Sequence, residues 1–428
     1  MSVLTTDIDR LREAVAGYVH DADLEVYLHY SGQKDTLDTA SIAARYGGEM
    51  TIDALRATLA AAAATGDAAE SRRLRALAQA VGDLCIEREL APLSDELATL
   101  QAVATLDVDG ETLGYYASAV VLQNEPDRAR RRRLHDARNA VVITHNPLRE
   151  QIFRRHHELI AGLGYPGYVE FYSDLKGIDV SALGATMQQF LARTRDVWFG
   201  AVAPWFEAEI GVPFAEAERH DAAVLFRMRD RDPWFSVDAM VDSLRDTLLS
   251  LGVALDDQPN VHLDLEDRPG KNPRAFCAAV RVPGEVYLVI RPSGGYQDYR
   301  SLFHEAGHTE HFAHVDAGRP FEDRHLGDNS VTEAFAFTME HLLLDPDWIA
   351  AHTGAAGPQL HDFTRRAVIY YLYFLRRYGA KLPYELELHR AGPDRLAEMP
   401  ERYAELLTDA LGFRYDGAAY LDDVDPGF

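Results

Sequence analysis

Cysteine is scarce in this chain, with Cys85 and Cys277 the only two in 428 residues. Two thiols make neither a disulfide framework nor a four-cysteine zinc site. Lysine is nearly absent as well, confined to Lys34, Lys176, Lys271 and Lys381, so arginine carries most of the positive charge. Positive charge as a whole is in deficit: 43 Lys and Arg face 68 Asp and Glu, a net charge of −25. Such a surface repels polyanions, which argues against nucleic acid or an anionic membrane as partner. There is no run of 18 apolar residues, so no membrane-spanning helix is expected. The N-terminal Met1–Asp7 lacks the basic stretch and apolar run of a signal peptide. The simplest expected location is the cytoplasm.

What is present fits a globular protein with a sizeable core, since 47% of residues are hydrophobic. The length allows two or three domains or one large fold. Residues 1–145 read as an Ala-rich helical region and 146–428 as the part that carries the chemistry. Leu74, Leu77, Val81 and Leu84 follow one helical stripe, and Val237, Met240, Val241, Leu244, Leu248 and Leu251 another. Both are core stripes by default. The basic run Arg128–Arg133, after Pro126, reads as a solvated helix start. Clear β patterning occurs only between Val261 and Arg291. Val261, Leu263 and Leu265 alternate, as do Phe276, Ala278, Val280 and Val282, and Pro283-Gly284 turns the chain into Val286, Leu288 and Ile290. The expected fold is therefore mainly α, with a small antiparallel sheet. An edge strand of that sheet could pair with an extended peptide, or the sheet could be purely structural.

The densest chemical signal is His304-Glu305-Ala306-Gly307-His308. Two histidines four apart on a helix project from one face, so both imidazoles reach one divalent ion while the glutamate stands beside its open position. This is the H-E-x-x-H arrangement, with Glu305 as general base. A strand before it, the turn Pro292-Ser293-Gly294-Gly295, and Asp298 or Ser301 as a cap predict a helix running to about Val315.

A catalytic zinc takes three protein ligands, and two residues compete for third place. His314 matches the spacing of the longer motif H-E-x-x-H-x-x-G-x-x-H, but His311 stands where that motif has glycine. Without a break in the helix, His314 faces nearly the opposite side. Glu333 lies 25 residues past His308, at the start of a second helix. A glutamate there completes a His-His-Glu site, although Ser330-x-x-Glu333 is also a capping box in which the glutamate only caps the backbone. Glu340, seven residues further along, is placed either to orient a ligating histidine or simply to face solvent.

Together, Asp298–His308, Glu333 in Val-Thr-Glu-Ala-Phe, and Lys271-Asn272-Pro273-Arg274-Ala275-Phe276-Cys277 resemble the thimet oligopeptidase and oligoendopeptidase F family. Asn146–Arg149, Leu163–Tyr165 and the tyrosines near Tyr172 look like that family's middle helices. The likeness spans most of the chain and is strongest from Asn260 to Leu344. It implies a helical two-lobed shell around a deep channel, one zinc ion per chain, and cleavage of short peptides. The family also carries a Gly-aromatic segment whose tyrosines donate to the tetrahedral intermediate. Gly427-Phe428 resembles its first two residues, and the tyrosines that should follow are absent. Such donors are worth roughly 3 kcal/mol each, so weak turnover with metal binding retained is expected of this chain alone.

The expected mechanism has zinc on His304, His308 and Glu333, a water activated by the metal, and Glu305 moving the proton from water to leaving amine. The alternatives are a zinc amidase using His314, and a zinc-containing peptide-binding protein that needs a partner chain for turnover. Gly294 and Gly295 either admit a substrate backbone or make the turn. With Tyr296 and with His325, in the loop joining the two helices, they are the candidate substrate-binding residues. Tyr370, Tyr371 and Tyr373 read as core residues or as replacement donors.

Overall fold

The computed structural model describes residues 7–272 and 274–428. The signal-peptide reading of Met1–Thr6, and Pro273 within the Lys271–Cys277 segment, lie outside the described residues. Helices dominate, as the sequence predicts. The strands are β1 (Thr105–Val108), β2 (Glu111–Gly114), β3 (Val261–Asp264), β4 (Phe276–Arg281) and β5 (Glu285–Val289). The chain divides into two compact units, one of Met1–Cys85 with Arg229–Thr364, the other of Ile86–Met228 with Arg365–Phe428.

In the first unit the sheet has the order β3-β5-β4. β4 and β5 form the antiparallel hairpin that the Pro283-Gly284 turn predicts, but β3 lies parallel to β5. The expected purely antiparallel sheet is therefore corrected to a mixed one. Alternation reports which face a strand buries and is silent on its direction. Here the connection after β3 is fixed by Lys271, whose Nζ donates to the Asp264 carbonyl and to Asp264 Oδ1 at 2.8 and 2.9 Å. Arg268 closes on the same carboxylate. The helix Ile8–Tyr30, capped by Asp7, packs Leu24, Tyr27 and Leu28 on the sheet, with Tyr27 stacked on Tyr287 at 3.8 Å. Of the predicted stripe around Leu244, Met240, Leu244 and Leu248 are buried. Val237 and Leu251 lie beyond the helix Met240–Ser250 and are exposed.

The motif sits on the helix Tyr296–Ala313. It begins earlier than expected, because Gly295 takes the N-cap with φ +87°. Asp298 instead accepts from the amides of Ser293 and Gly294 at 2.6 and 2.9 Å, which fixes the turn. At the far end, Asn260 Nδ2 donates to the Ala313 carbonyl at 2.9 Å and to the Pro283 carbonyl at 2.7 Å, tying helix to hairpin.

In the second unit β1 and β2 form a hairpin that the helical reading of residues 1–145 does not contain. Its turn is Asp109-Gly110, with φ +55° and +82°, both positive as a two-residue type I′ turn requires. The helix Arg128–Gly162 starts at the basic run and crosses residue 145 unbroken. Its arginines are not simply solvated. Arg128 and Arg131 share Asp221, Arg132 pairs with Glu218, Arg133 with Asp109, and Arg130 with Glu111.

Further along this helix His156 lies buried, its Nε2 2.9 Å from the Tyr172 hydroxyl. Burial pushes its pKa down to about 4. In the unfolded chain an ordinary histidine titrates near 6.5. Above that pH the group is neutral in both states and contributes no pH dependence. Between about 6.5 and 4 only the unfolded state takes up the proton, so stability falls as pH falls. The parent's stability advantage over His156→Gln should therefore shrink on going from pH 7.5 to 4.5, by on the order of 1–3 kcal/mol. Denaturant titrations of both proteins across that range measure it.

Candidate metal centre

The site is built where two helices of the first unit touch, Tyr296–Ala313 and Asn329–His341. Gly307 makes the contact. A Cβ at this position would lie 2.5 Å from Ala336 Cα and 2.5 Å from the Phe335 carbonyl oxygen. Only a hydrogen fits, so the two backbones meet there. His304, His308 and Glu333 flank the contact point, and their ligand atoms lie within 4.8 Å of one another. His304 Nε2 is 3.4 Å from Glu333 Oε2, and His308 Nε2 is 3.8 Å from Glu333 Oε1. The two imidazoles are nearly perpendicular, at 83°.

The other ring nitrogens are already engaged. His304 Nδ1 lies 2.8 Å from Glu340 Oε2, and Arg300 holds the opposite oxygen of Glu340 through Nε at 2.9 Å. His308 Nδ1 lies 2.7 Å from Thr332 Oγ1. Each contact leaves Nε2 free and fixes the ring, which is how a ligating histidine is oriented. The donor set, two imidazoles and a carboxylate converging with both Nε2 atoms uncommitted, fits a single divalent ion such as zinc.

Electrostatics separates the two histidines. Burial pulls the His304 pKa down, but the hydrogen bond and charge of Glu340 outweigh it and hold it above the ordinary value. His308, facing a neutral hydroxyl, is pushed to about 4 by burial and by its histidine neighbours. Burial also raises Glu305, to about 7, against the pull of His304 and of the Cys277 amide, which donates to Glu305 Oε2 at 2.9 Å. A carboxylate balanced near neutrality and aimed by strand β4 is suited to accept and return a proton.

The remaining predicted residues fall elsewhere. The capping box does not form: Asp328 is the N-cap and accepts from the Ser330 amide at 2.8 Å, so Glu333 is free of that duty. His314 is the C-cap of the motif helix, with Nδ1 2.9 Å from the Glu310 carbonyl, outside the cluster. Tyr296 is fully buried between Phe235 and Phe363. Gly294 and Gly295 fit closely against the chain's own Phe235–Val237 backbone and Asp232. His325 Nε2 accepts from the Val282 amide at 3.2 Å. None of these four joins the metal cluster. Sequence reasoning missed Thr332, Arg300 and the Cys277 amide. Arg300 was findable one turn ahead of His304 on the same face, and Thr332 beside Glu333. A backbone amide leaves no sequence signal.

Two measurements test this construction. Glu340→Gln and Thr332→Val should each weaken metal binding, by roughly 10–100-fold, as read by competition with a chromophoric chelator. Gly307→Ala should cost about 1–3 kcal/mol of stability through overpacking and should lower metal affinity too. An unchanged affinity in Gly307→Ala would show that the helix contact does not set the ligand geometry.

No protein-family model matches the chain, and no curated protein does. Solved structures do. A chain from Bacillus anthracis str. Ames assigned as an oligoendopeptidase F aligns with TM-score 0.63 at 15% identity, over 98% of this chain and 85% of that one. PZ peptidase A, solved with an inhibitor, aligns with TM-score 0.56 at 15% identity, over 99% and 83%. A chain from Chlamydophila abortus assigned as a peptidase gives 0.62 at 13% identity, over 98% and 76%. At these identities the likeness is one of fold, and the fold this chain shares is that of the oligoendopeptidases.

Proposed function

We propose that this protein is a zinc-dependent peptidase acting on short peptides, with Glu305 as the general base. The observation that carries the reading is the convergence of His304, His308 and Glu333 beside a glutamate that a strand amide holds in place. The shared fold with solved peptidases supports it.

A zinc ion held by these three side chains would supply Lewis acidity toward water and the scissile carbonyl. The chain's own groups do the rest. Glu305 takes the proton of the attacking water and delivers it to the departing amine, a transfer its pKa of about 7 suits in both directions. The Cys277 amide keeps one Glu305 oxygen fixed, so the other is left for the proton. Glu340 and Thr332 hold the imidazoles, and Arg300 holds Glu340 in turn.

Zinc content and cleavage of fluorogenic short peptides, measured on the same preparations, test the assignment. Glu333→Ala should empty the site, whereas His314→Ala should leave it filled. Glu305→Gln should keep zinc and lose roughly 10²–10⁴-fold in turnover. If Glu333→Ala retains full zinc while His314→Ala loses it, the ligand set is wrong. If Glu305→Gln cleaves as fast as the parent, the base is wrong.

A further inference from the structure

The two helices that bring the candidate ligands together are joined by residues 314–328, whose one helical piece is the short Phe321–His325. The second ligand helix leans on this connector. Its buried residues, Ala336, Met339 and Glu340, lie in its second half, whereas Asn329, Ser330 and Val331 are exposed. The turn that leads into Glu333 is therefore steered by the chain that enters it.

The connector is held from two sides. On one side is the β4–β5 turn. The Val282 amide donates to His325 Nε2 at 3.2 Å, and the Val282 carbonyl accepts from Arg324 Nη1 at 2.6 Å. On the other side is a residue 310 positions earlier in the chain. Arg12, on the helix Ile8–Tyr30, donates Nε to Glu322 Oε1 at 2.5 Å. Its other two nitrogens go to other acids, Nη1 to Asp9 at 3.0 Å and Nη2 to Glu70 at 2.5 Å. Arg73 in turn holds Glu70, through Nε at 3.0 Å and Nη2 at 2.8 Å. Asp9 and Glu70 are open to water, which screens their pairs and leaves them weak. Glu322 is different. Its side chain is 2% exposed, and among the described residues Arg12 is the one partner of its carboxylate. A buried carboxylate is committed to such a partner, because losing it strands a charge away from water.

We propose that Arg12 is a positioning residue of the candidate metal centre: by holding Glu322 it fixes the connector, and with it the first turn of Asn329–His341, so that Glu333 meets His304 and His308. All of these groups belong to the first unit. The Gly307 contact sets how closely the two helices approach at one point. A single point still lets the second helix pivot, and the connector supplies the second point. The proposal rests on the ligand set of the function proposed above and not on the cleavage step.

Arg12→Met, Arg12→Lys and Glu322→Gln in the full chain test it. The readouts are zinc affinity by chelator competition and the visible spectrum of the cobalt-loaded protein, which reports ligand number and geometry. Arg12→Met should weaken zinc binding at least about tenfold, as loss of an outer contact does, and should alter the cobalt spectrum. Arg12→Lys, which keeps one charged donor, should recover part of both, and Glu322→Gln should shift both in the direction of Arg12→Met. Trypsin cleavage after Arg324 in the metal-free chain should be faster in Arg12→Met than in the parent. An arginine that only stabilised the fold would lower the stability of Arg12→Met and leave the affinity and spectrum of the folded molecules unchanged, and that result overturns the proposal. Unchanged cleavage after Arg324 overturns it as well. Should Arg12→Met fail to fold, Arg12→Lys and Glu322→Gln must each bind zinc more weakly than the parent, or the proposal falls. A parent that binds zinc and cleaves no peptide fails the peptidase reading and leaves this test intact, whereas a parent that takes up neither zinc nor cobalt overturns both.

Discussion

The arrangement of the candidate metal centre depends on one steric fact, the absence of a side chain at Gly307. The three candidate ligands come from two helices, and the reach of a glutamate is short, so the distance between backbones decides whether the three donors could share one ion. Ala336 on the partner helix is small enough to let Gly307 seat against its Cα. Gly307 lies beside His308 and about one turn past His304, and Glu333 lies about one turn before Ala336. The point of closest approach and the point where the three candidate ligands converge are therefore the same place. Metal–ligand distances tolerate a few tenths of an ångström, whereas a methyl group in this contact would demand more than that.

The second constraint is electrostatic. His304 has three carboxylates about it, those of Glu305, Glu333 and Glu340. Three acids in one partly buried site repel one another, and each has been given a different remedy. Glu340 is neutralised by Arg300. Glu305 is buried with only an amide donor, and its proton affinity rises. Glu333 stays open to solvent, at 45% side-chain exposure, and among the described residues its carboxylate faces no donor but the two imidazoles. Identical functional groups are thus set apart by their surroundings alone, which suits them to the proposed roles of orienting group, base and ligand.

How much of this was legible followed from how local each signal is. The motif, Glu333 and the β4–β5 hairpin were readable because each is a short pattern with a fixed physical meaning. Glu340 was readable as a candidate, since seven residues make two helical turns. The direction of β3 was not, because strand alternation is the same in either direction, and its pairing depends on Lys271 and Arg268 folding back on Asp264. The capping box failed because Asp328, two residues earlier, also caps well and takes the N-cap, which leaves Ser330 inside the helix with its amide bonded to Asp328. The β1–β2 hairpin was legible and overlooked, since Asp109-Gly110 between Val108 and Glu111 is a strong turn signal. Gly294 and Gly295 were read either as room for a substrate backbone or as the turn itself, and the space beside them is filled by the chain's own Phe235–Val237 backbone and Asp232 side chain.

Charge in sequence and charge in space also part company, and the arginines of the second unit show how. Arg128–Arg133 looks like an excess of positive charge, yet every one of its arginines meets an acid. Two of those acids, Glu218 and Asp221, flank Arg219 in sequence. Glu218 is taken by Arg132 and Arg414, and Asp221 by Arg128 and Arg131. Reciprocal bonding between Glu218 and Asp221 at the start of the helix fixes both carboxylates where those partners can reach them. Arg219, between them, lies over the Tyr415 ring and meets the charges of Asp423 and Asp416 instead. The backbone at this helix start directs Glu218 and Asp221 to arginines distant in sequence, which the order of charges along the chain does not reveal.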